Sequence, residues 1–195
     1  MFKCGVAELS QAANDKVTER RRRILDAARR LMLRDGLRGT TMEAIAREAG
    51  MAKPTLYAQF ADKEAVFTGI LDELSDALVT GFDAGMAGPG SVAQRIGAAM
   101  AGKFGAIAHA IEGSPFAEEL YATHSRVSTR FRELDARMNT EIVAALKAAG
   151  VAEPTELNRL IQAASYGVAR KMVDEASVRA AIPVLVERLI GPELG

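Results

Sequence analysis

The stretch TTMEAIAREAGMAKPTLYAQFADK, residues 40–63, decides the fold of this chain. Thr40 followed three residues later by Glu43 is a capping-box pattern, which predicts the start of a helix. The apolar residues that come next have the i, i+3, i+4 and i+7 spacing of one helix face: Met42, Ile45, Ala46 and Ala49. The stretch therefore opens with a short amphipathic helix.

A second short helix follows after a turn. Gly50 suits the left-handed conformation that ends a helix, and Pro54 falls in the first turn of the next one, where its missing N–H costs little. Leu56 and Phe60 are four residues apart and can pack inward, which leaves the polar side chains on other faces. Two short helices joined by a glycine turn, the second of them polar, predict a helix-turn-helix.

The same stretch resembles the TetR/AcrR family of bacterial repressors, over about residues 17–67. The shared signature is a threonine pair, an Ile-Ala step, an Ala-Gly turn, Thr-Leu-Tyr, Phe and Lys-Glu: Thr40, Thr41, Ile45, Ala46, Ala49, Gly50, Thr55, Leu56, Tyr57, Phe60, Lys63 and Glu64. The resemblance implies an all-α fold, with an N-terminal three-helix helix-turn-helix DNA-binding domain followed by a larger helical effector-binding and dimerisation domain. Ala52 stands where the family commonly has a capping serine, a cap worth ~1 kcal/mol. Pro54 stands where the family often has glycine.

By this resemblance a set of residues in and around the helix-turn-helix is predicted to contact DNA: Arg20, Thr40, Thr41, Lys53, Pro54, Thr55, Tyr57, Gln59 and Lys63. Lys53 and Thr55 are expected to face base edges. Thr41, Tyr57 and Lys63 are expected to hold phosphates. Arg20 belongs to the block Arg20–Arg23 on the preceding helix. Such a run is often only a solvated face, but beside a helix-turn-helix contact with phosphates is the favoured interpretation for at least one of them.

Charge is distributed unevenly along the chain, although the formal net charge is zero. Residues 1–63 hold 13 Lys and Arg against 8 Asp and Glu, whereas residues 64–195 hold 12 against 17. A basic head on an acidic body fits a nucleic-acid-binding unit joined to a second unit, with chance scatter as the alternative. The single cysteine, Cys4, excludes an intramolecular disulfide, and no apolar run has the length of a membrane span or a signal-peptide core. We therefore expect a cytoplasmic protein that does not contact the membrane.

Helical periodicity extends over the rest of the chain and divides it into three parts. Residues 1–16 lack a firm period and predict a mobile arm, residues 17–63 form the helix-turn-helix domain, and residues 64–195 form the helical ligand-binding and dimerisation domain. Within these parts we predict helices over about 17–34, 62–82, 91–111, 127–148 and 177–190, with two more opening near Pro115 and Pro154. Pro183 is expected to kink the last helix or to shorten its first turn.

The second domain is predicted to bind a ligand. The resemblance implies a cavity among large apolar or amphipathic residues of the middle helices: Met100, Phe104, Ile107, Phe116, Leu120, Tyr121, Met138 and Tyr166. Flexible methionines and tyrosine hydroxyls suit an apolar molecule with a polar handle. Ordinary core packing is the alternative for each of these residues.

The final two helices are rich in small residues, which let helices approach closely. In TetR-like proteins such a pair forms a four-helix dimer interface, and the resemblance places it here at Ala164, Gly167, Val168, Leu185 and Leu189. Intrachain packing is the alternative. A dimer also suits the DNA chemistry, because two recognition helices related by a two-fold axis read a palindrome.

The predicted function is a ligand-responsive transcriptional regulator, most often a repressor in this family. It binds a palindromic double-stranded DNA operator as a homodimer, and a small, largely apolar molecule releases it. The helix that opens at Asp62 is expected to carry the movement, with its far end, near Gly81, the freer one. The alternative keeps the DNA-binding head and gives the second domain only dimerisation or the docking of a protein partner, with no small-molecule effector.

An enzyme is the least favoured class. His109 and Glu112 form an i, i+3 pair that could be drawn into a metal site, and Glu118, Glu119 and His124 follow. However, the sequence contains no HExxH motif, no paired cysteines and no serine nucleophile motif. We therefore expect no catalytic residues, no metal and no cofactor.

Overall fold

The computed structural model describes residues 4–172 and 174–194, with side chains described for all of these except 4–14, 121, 124–127 and 194. In this part of the chain the structure forms nine α-helices, one short 3-10 helix and no strand. The helices are α1 Cys4–Gly39, α2 Met42–Glu48, α3 Lys53–Tyr57, α4 Lys63–Met86, α5 Val92–Ile111, α6 Ala117–Val127, α7 Thr129–Ala148, α8 Pro154–Lys171 and α9 Glu175–Ile190, and the 3-10 helix is Gly191–Leu194. The predicted all-α class is confirmed.

The chain separates into two compact units, Met1–Ile70 and Leu71–Gly195, and α4 contributes residues to both. Among the residues that the structure describes, no helix combines the length and the apolar character needed to cross a lipid bilayer.

In the first unit, α1 is interrupted at Gly36, two residues after the predicted helix end near residue 34. Gly36 has φ 74° and ψ 168°, in the left-handed half of the backbone map that favours glycine. The beginning of α1 differs from the prediction, because the backbone is helical back to Cys4 rather than from Val17. Segment 4–16 contains no proline and is rich in good helix formers, so a helix can extend through it without a regular apolar stripe.

The start of α2 corrects one sequence prediction. The N-cap is Thr41, whose Oγ1 accepts a hydrogen bond from the N–H of Ala44 at 3.1 Å. The hydroxyl of Thr40 instead donates to the carbonyl of Gly36 at 2.7 Å, and Thr40 is only 1% exposed. The predicted capping box of Thr40 with Glu43 is therefore wrong, because the Thr40 hydroxyl already satisfies a carbonyl at the end of α1.

The turn between α2 and α3 forms as the sequence predicts. Gly50 has φ 65°, and its N–H donates to the carbonyl of Arg47 at 3.1 Å. The N–H of Met51 donates to the carbonyl of Ala46 at 3.0 Å. These two bonds form the double closure of a Schellman motif, which satisfies the last carbonyls of α2 and turns the chain toward α3.

The core of the first unit holds α3 and α4 against α1. Leu56 is fully buried and Phe60 is 5% exposed. A Cβ at Gly69 would lie 3.0 Å from Cδ2 of Leu25 and 3.2 Å from the ring of Phe60, so the absent side chain permits a close approach of α4. The guanidinium of Arg21 covers the Phe60 ring at 4.6 Å from its centre, a cation–π contact.

In the second unit, α4 and α5 cross with their backbones in contact. A Cβ at Gly85 would lie 2.2 Å from the backbone nitrogen of Ala99, and a Cβ at Gly102 would lie 2.4 Å from the carbonyl oxygen of Gly81. Such distances leave no room for a side chain on either helix. The prediction that the far end of α4 is the freer one is therefore wrong, because its glycines permit close packing there.

The remaining helix boundaries follow local capping signals. Ser91 and Gln94 form a full capping box at the start of α5, as the predicted cap at Ser91 requires. α9 begins at Glu175 rather than near Ser177, because the Asp174 carboxylate caps it by accepting from the Ser177 N–H at 2.8 Å. α9 then continues through Pro183 to Ile190.

Candidate nucleic-acid interface

The short helix α3 presents polar and apolar side chains on opposite sides. Leu56 anchors it in the core, while Lys53, Pro54 and Tyr57 are exposed, Tyr57 to 48%. The N-cap, Ala52, makes no side-chain hydrogen bond, so the fixed φ of Pro54 is the local feature that favours the first turn. Arg20 on α1 and Thr41 before α2 are also exposed, whereas Thr55 on α3 and Gln59 after it are half-buried. Contact of these residues with DNA stays a prediction.

Lys53 is held in place by α2. Its ammonium lies 3.0 Å from Oε1 of Glu43, and both side chains are more than half exposed. The hydrogen bond from Lys53 holds the pKa of the Glu43 carboxyl below its usual value, so this carboxylate is charged at neutral pH. An exposed pair of this kind contributes little stability. It can therefore open to release the lysine toward a base or a phosphate.

Two residues predicted at the DNA surface have internal roles instead. Thr40 is buried, as described above. The Lys63 ammonium donates to the carbonyls of Leu37 at 2.9 Å, Arg38 at 3.3 Å and Thr40 at 3.2 Å. These are the carbonyls left open at the end of α1, where a cation is favourable. Lys63 therefore caps the end of α1 in this structure, and its contact with a phosphate stays a prediction.

The block Arg20–Arg23 divides into separate tasks. Arg22 pairs with Glu19 at 2.7 Å and with Asp26 at 3.1 Å on the surface of α1. Arg23 donates to the carbonyl of Ala49 at 2.6 Å and so caps α2 from a different helix. With Arg21 over the Phe60 ring, three of the four arginines have intramolecular contacts. The role of Arg23 was not predicted, because no sequence pattern links it to a carbonyl 26 residues away.

Most of the predicted ligand-binding residues lie in the interior of the second unit. Met100, Phe104, Ile107, Leu120 and Met138 are each at most 5% exposed, and Phe116 is half-buried. Tyr166 is 38% exposed on α8 and contacts Arg170, so it does not belong to this interior group. The Tyr121 side chain lies outside the described residues.

The structure also contains a cleft of about 200 Å³ at a different position in the second unit. Of the predicted ligand-binding residues, none of the seven whose side chains are described lines it. Its lining comes from the end of α5, the turn after it, the start of α6 and the end of α8: Ala108, Ile111, Glu112, Gly113, Ser114, Ala117, Glu118, Ala169, Arg170 and Met172.

A buried lysine, missed by sequence reasoning, lies among the predicted ligand-binding residues. Lys103 is 5% exposed, and its ammonium lies 2.8 Å from Oδ1 of Asp135 on α7 and 3.3 Å from Oε1 of Gln162 on α8. It also lies 5.0 Å from the centre of the Phe104 ring. A charge removed from water requires such partners. Its position, one turn after Met100 on the same face of α5, was the available sequence signal.

The polar contacts continue along one face of α8. Asn158, Gln162 and Ser165 have i, i+4 and i+7 spacing. Asn158 donates to Oδ1 of Asn139 at 3.0 Å, and Gln162 donates to Sδ of Met100 at 3.6 Å. The Ser165 hydroxyl is fully buried and has no hydrogen-bond partner among the described residues. The interior of the second unit is therefore more polar than the sequence prediction of an apolar cavity.

The predicted dimer residues lie on a partly exposed face of α8 and α9. Gly167 is exposed, and a Cβ there would meet nothing within 4 Å. Ala164, Val168, Leu185 and Leu189 are half-buried. The same two helices expose Leu160 to 46% and Val184 to 58%, two large apolar residues that were not among the predictions.

The sequence of this chain is similar to those of known bacterial transcriptional regulators. The family described as bacterial regulatory proteins, tetR family, matches residues 24–70. The transcriptional activator FasR of Mycolicibacterium smegmatis is 30% identical over 115 residues, 58% of this chain and 52% of that protein. The transcriptional repressor AcnR of Corynebacterium glutamicum is 34% identical over 65 residues, 33% of this chain and 35% of that protein. The chain thus spans about half or less of the curated relatives it matches.

A solved structure matches along most of the chain. A TetR-like transcriptional regulator from Rhodococcus sp. RHA1 has a TM-score of 0.70 and 20% identity, covering 90% of this chain and 95% of that one, which shows the fold. The matched family and both curated relatives are transcriptional regulators, the class predicted in preference to an enzyme. The family match covers α2, α3, the second half of α1 and the start of α4. Over residues 24–70 the chain is therefore similar to the TetR family of bacterial regulatory proteins, and it has the fold of a TetR-like regulator.

Proposed function

We propose that this protein represses transcription as a homodimer on a palindromic DNA operator and leaves the operator when a small molecule binds its second unit. The observation that carries the DNA-binding part is α3, a helix anchored by buried Leu56 that exposes Lys53, Pro54 and Tyr57 on its other side. A short polar helix fixed from behind is suited to the major groove. The excess of positive charge in residues 1–63 supports the same partner.

The dimer is supported by the exposed face of α8 and α9. Leu160, Tyr166 and Val184 are large apolar or amphipathic side chains exposed to 46%, 38% and 58%. The open space at Gly167 lets another helix approach closely. A recognition helix of five residues reads only a few base pairs, so two copies on one site provide the needed specificity.

The effector is a largely apolar molecule with an anionic group. Met100, Phe104 and Met138 supply an adaptable apolar surface. Lys103 supplies the charge, because its present partner Asp135 is 37% exposed and can turn to water when another anion takes its place. A carboxylate would then accept from Lys103 in a charge-assisted hydrogen bond.

The operator can be found without knowing the regulated gene. The protein is mixed with a pool of random duplexes, and the bound fraction is sequenced after several rounds. We expect two inverted half-sites about 10 base pairs apart, centre to centre, or a multiple of that spacing. Lys53→Ala should lose enrichment, while Lys147→Ala, an exposed lysine at the end of α7, should behave as the wild type. Enrichment of single, unpaired half-sites would contradict the dimeric site.

The effector class is tested with a matched pair of probes, decanoate and decanol. Decanoate should raise the melting temperature of the protein and weaken its binding to the selected duplex about 5- to 150-fold, the usual range for coupled sites. Decanol should do less, and Lys103→Met should make the two probes equivalent. Asp135→Asn is the second variant, and we expect it to strengthen the response to decanoate by removing the competing carboxylate. If neither probe nor a broader set of apolar acids has an effect, the second unit only dimerises or docks a protein.

A further inference from the structure

Three side chains meet at the end of α5, and the function proposed above uses none of them. His109 lies in the last turn of α5, Glu112 is its C-cap residue, and Glu175 is the first residue of α9. One potential ligand atom from each lies within 4.8 Å of those of the other two. We propose that His109, Glu112 and Glu175 bind a divalent transition-metal ion, with Zn²⁺ as the best fit.

The distances suit a shared ion after small side-chain rotations. Nδ1 of His109 is 2.9 Å from Oε2 of Glu175. Two ligand atoms about 2.0–2.1 Å from a tetrahedral Zn²⁺ ion lie about 3.3 Å apart, so this pair needs to open by a few tenths of an ångström. The ion would then lie between these two atoms. Glu112 moves inward from its present separation by rotation of an exposed side chain.

The rigid part of the site is Glu175. Its Oε1 accepts from Nε of Arg179 at 2.5 Å, which leaves Oε2 directed at His109. Arg179 is itself held against α5, since a Cβ at Gly105 would lie 2.7 Å from its Cγ. The hydrogen bond from Arg179 foremost, and the proximity of His109 as well, hold the pKa of Glu175 below its usual value. Glu175 is therefore an ionised ligand with a fixed orientation. Arg179 holds it in the way that a hydrogen-bonding residue behind a metal ligand does in known metal sites.

The surrounding charge is favourable although Arg179 is cationic. Glu112 and Glu175 contribute two negative charges, and the C-terminal end of α5 adds the negative end of its helix dipole. Neutral imidazole nitrogen with two carboxylates is a borderline-to-hard ligand set, which suits Zn²⁺ better than Ca²⁺ or Mg²⁺. Three protein ligands leave a fourth position on a tetrahedral ion. Glu112 also lines the 200 Å³ cleft, so the ion would lie beside that cleft.

The test is Zn²⁺ binding to the full chain without an affinity tag, by calorimetry and by competition with a chromophoric chelator. We expect one ion per chain. His109→Ala and Glu175→Gln should each weaken binding by about 100-fold or more, because loss of even an outer-shell partner costs about 10- to 100-fold. Glu112→Gln should weaken it in the same direction. His124→Ala is the matched control, since the chain has only two histidines, and it should bind as the wild type.

A second readout guards against variants that merely fold poorly. Zn²⁺ binds only the folded site, so it should raise the melting temperature of the wild type and of His124→Ala, but not of His109→Ala. The proposal is overturned if the wild type binds no stoichiometric Zn²⁺, if His109→Ala or Glu175→Gln binds as tightly as the wild type, or if His124→Ala loses binding as well. The DNA-binding proposal stands independently of each outcome.

Discussion

Replacing Lys63 with methionine should destabilise the protein without removing a DNA contact. The Lys63 ammonium donates to three carbonyls at the end of α1, at 2.9, 3.2 and 3.3 Å. Methionine keeps much of the stem but offers no donor. A cation at a partly buried helix C-terminus contributes up to ~2 kcal/mol, and hydrogen bonds from charged groups have a similar magnitude. We therefore expect the free energy of unfolding to fall by about 2 kcal/mol. The fall is no larger because the carbonyls that lose Lys63 can form hydrogen bonds with water.

The loss of stability and the absence of a DNA contact are measured separately. For a chain of this size, 1 kcal/mol corresponds to roughly 2–4 °C, so Lys63→Met should melt about 4–8 °C below the wild type. Binding to a random-sequence duplex is then measured from about 50 to 300 mM KCl by fluorescence anisotropy. Each lost phosphate contact reduces the slope of log K against log salt by about 0.9. For Lys63→Met we expect the slope of the wild type.

Lys53→Met is the matched control with the opposite pattern. Lys53 is exposed and pairs with Glu43, so the melting temperature of Lys53→Met should stay within about 1–2 °C of the wild type, as for an ordinary surface substitution. Its binding to the selected operator should weaken. A Lys63→Met variant that melts with the wild type and loses one unit of salt dependence would refute the capping role and restore the phosphate contact.

Three further expectations follow from the structure. Gly85→Ala should lower the melting temperature by several degrees, because its Cβ would lie 2.2 Å from the backbone nitrogen of Ala99. Gly167→Ala is the control and should leave the melting temperature unchanged, because a Cβ there meets nothing within 4 Å. Equal effects of the two variants would contradict the close crossing of α4 and α5. Gly167→Glu should sediment as a monomer and lose operator binding, and a dimeric variant would place the interface elsewhere. Asp174 has a pKa below its ordinary value of 3.8, first because it accepts from the backbone N–H of Ser177. Its stabilising effect is therefore present above pH 3.8 and is lost as the pH falls through the lower folded-state value. Asp174→Asn, which caps without titrating, should show a smaller loss in acid, and urea titrations between about pH 2 and 5 measure the difference.

Local signals in the sequence predicted the parts of the fold that depend on neighbouring residues. The turn at Gly50, the start of α3 near Pro54 and the helix start at Ser91 each involve residues within a few positions. The choice between adjacent threonines was beyond such signals. Thr40 and Thr41 have the same side chain. Only the open carbonyl of Gly36 distinguishes them, because Thr40 turns inward to donate to it and Thr41 is left to cap α2.

The candidate sites depended on contacts between distant residues, which no periodicity contains. The family resemblance implies a phosphate contact for Lys63, but it does not indicate the carbonyls that the Lys63 ammonium contacts, which lie 23 to 26 residues earlier. Lys103 was passed over among apolar neighbours, since its partner Gln162 is 59 residues away. His109 and Glu112 were recognised as a pair and set aside, because Glu175 joins them only through the packing of α9 on α5.

The glycine crossing of α4 and α5 has a consequence for how the sequence can change over evolutionary time. Gly81, Gly85 and Gly102 bring two backbones together with no side chain between them. A methyl group added to one helix needs space that only a shift of the whole opposing helix can provide. Single substitutions there should be selected against, and tolerated ones should appear together with a compensating change on the other helix. Residues around the crossing can change more freely, while the crossing itself stays fixed.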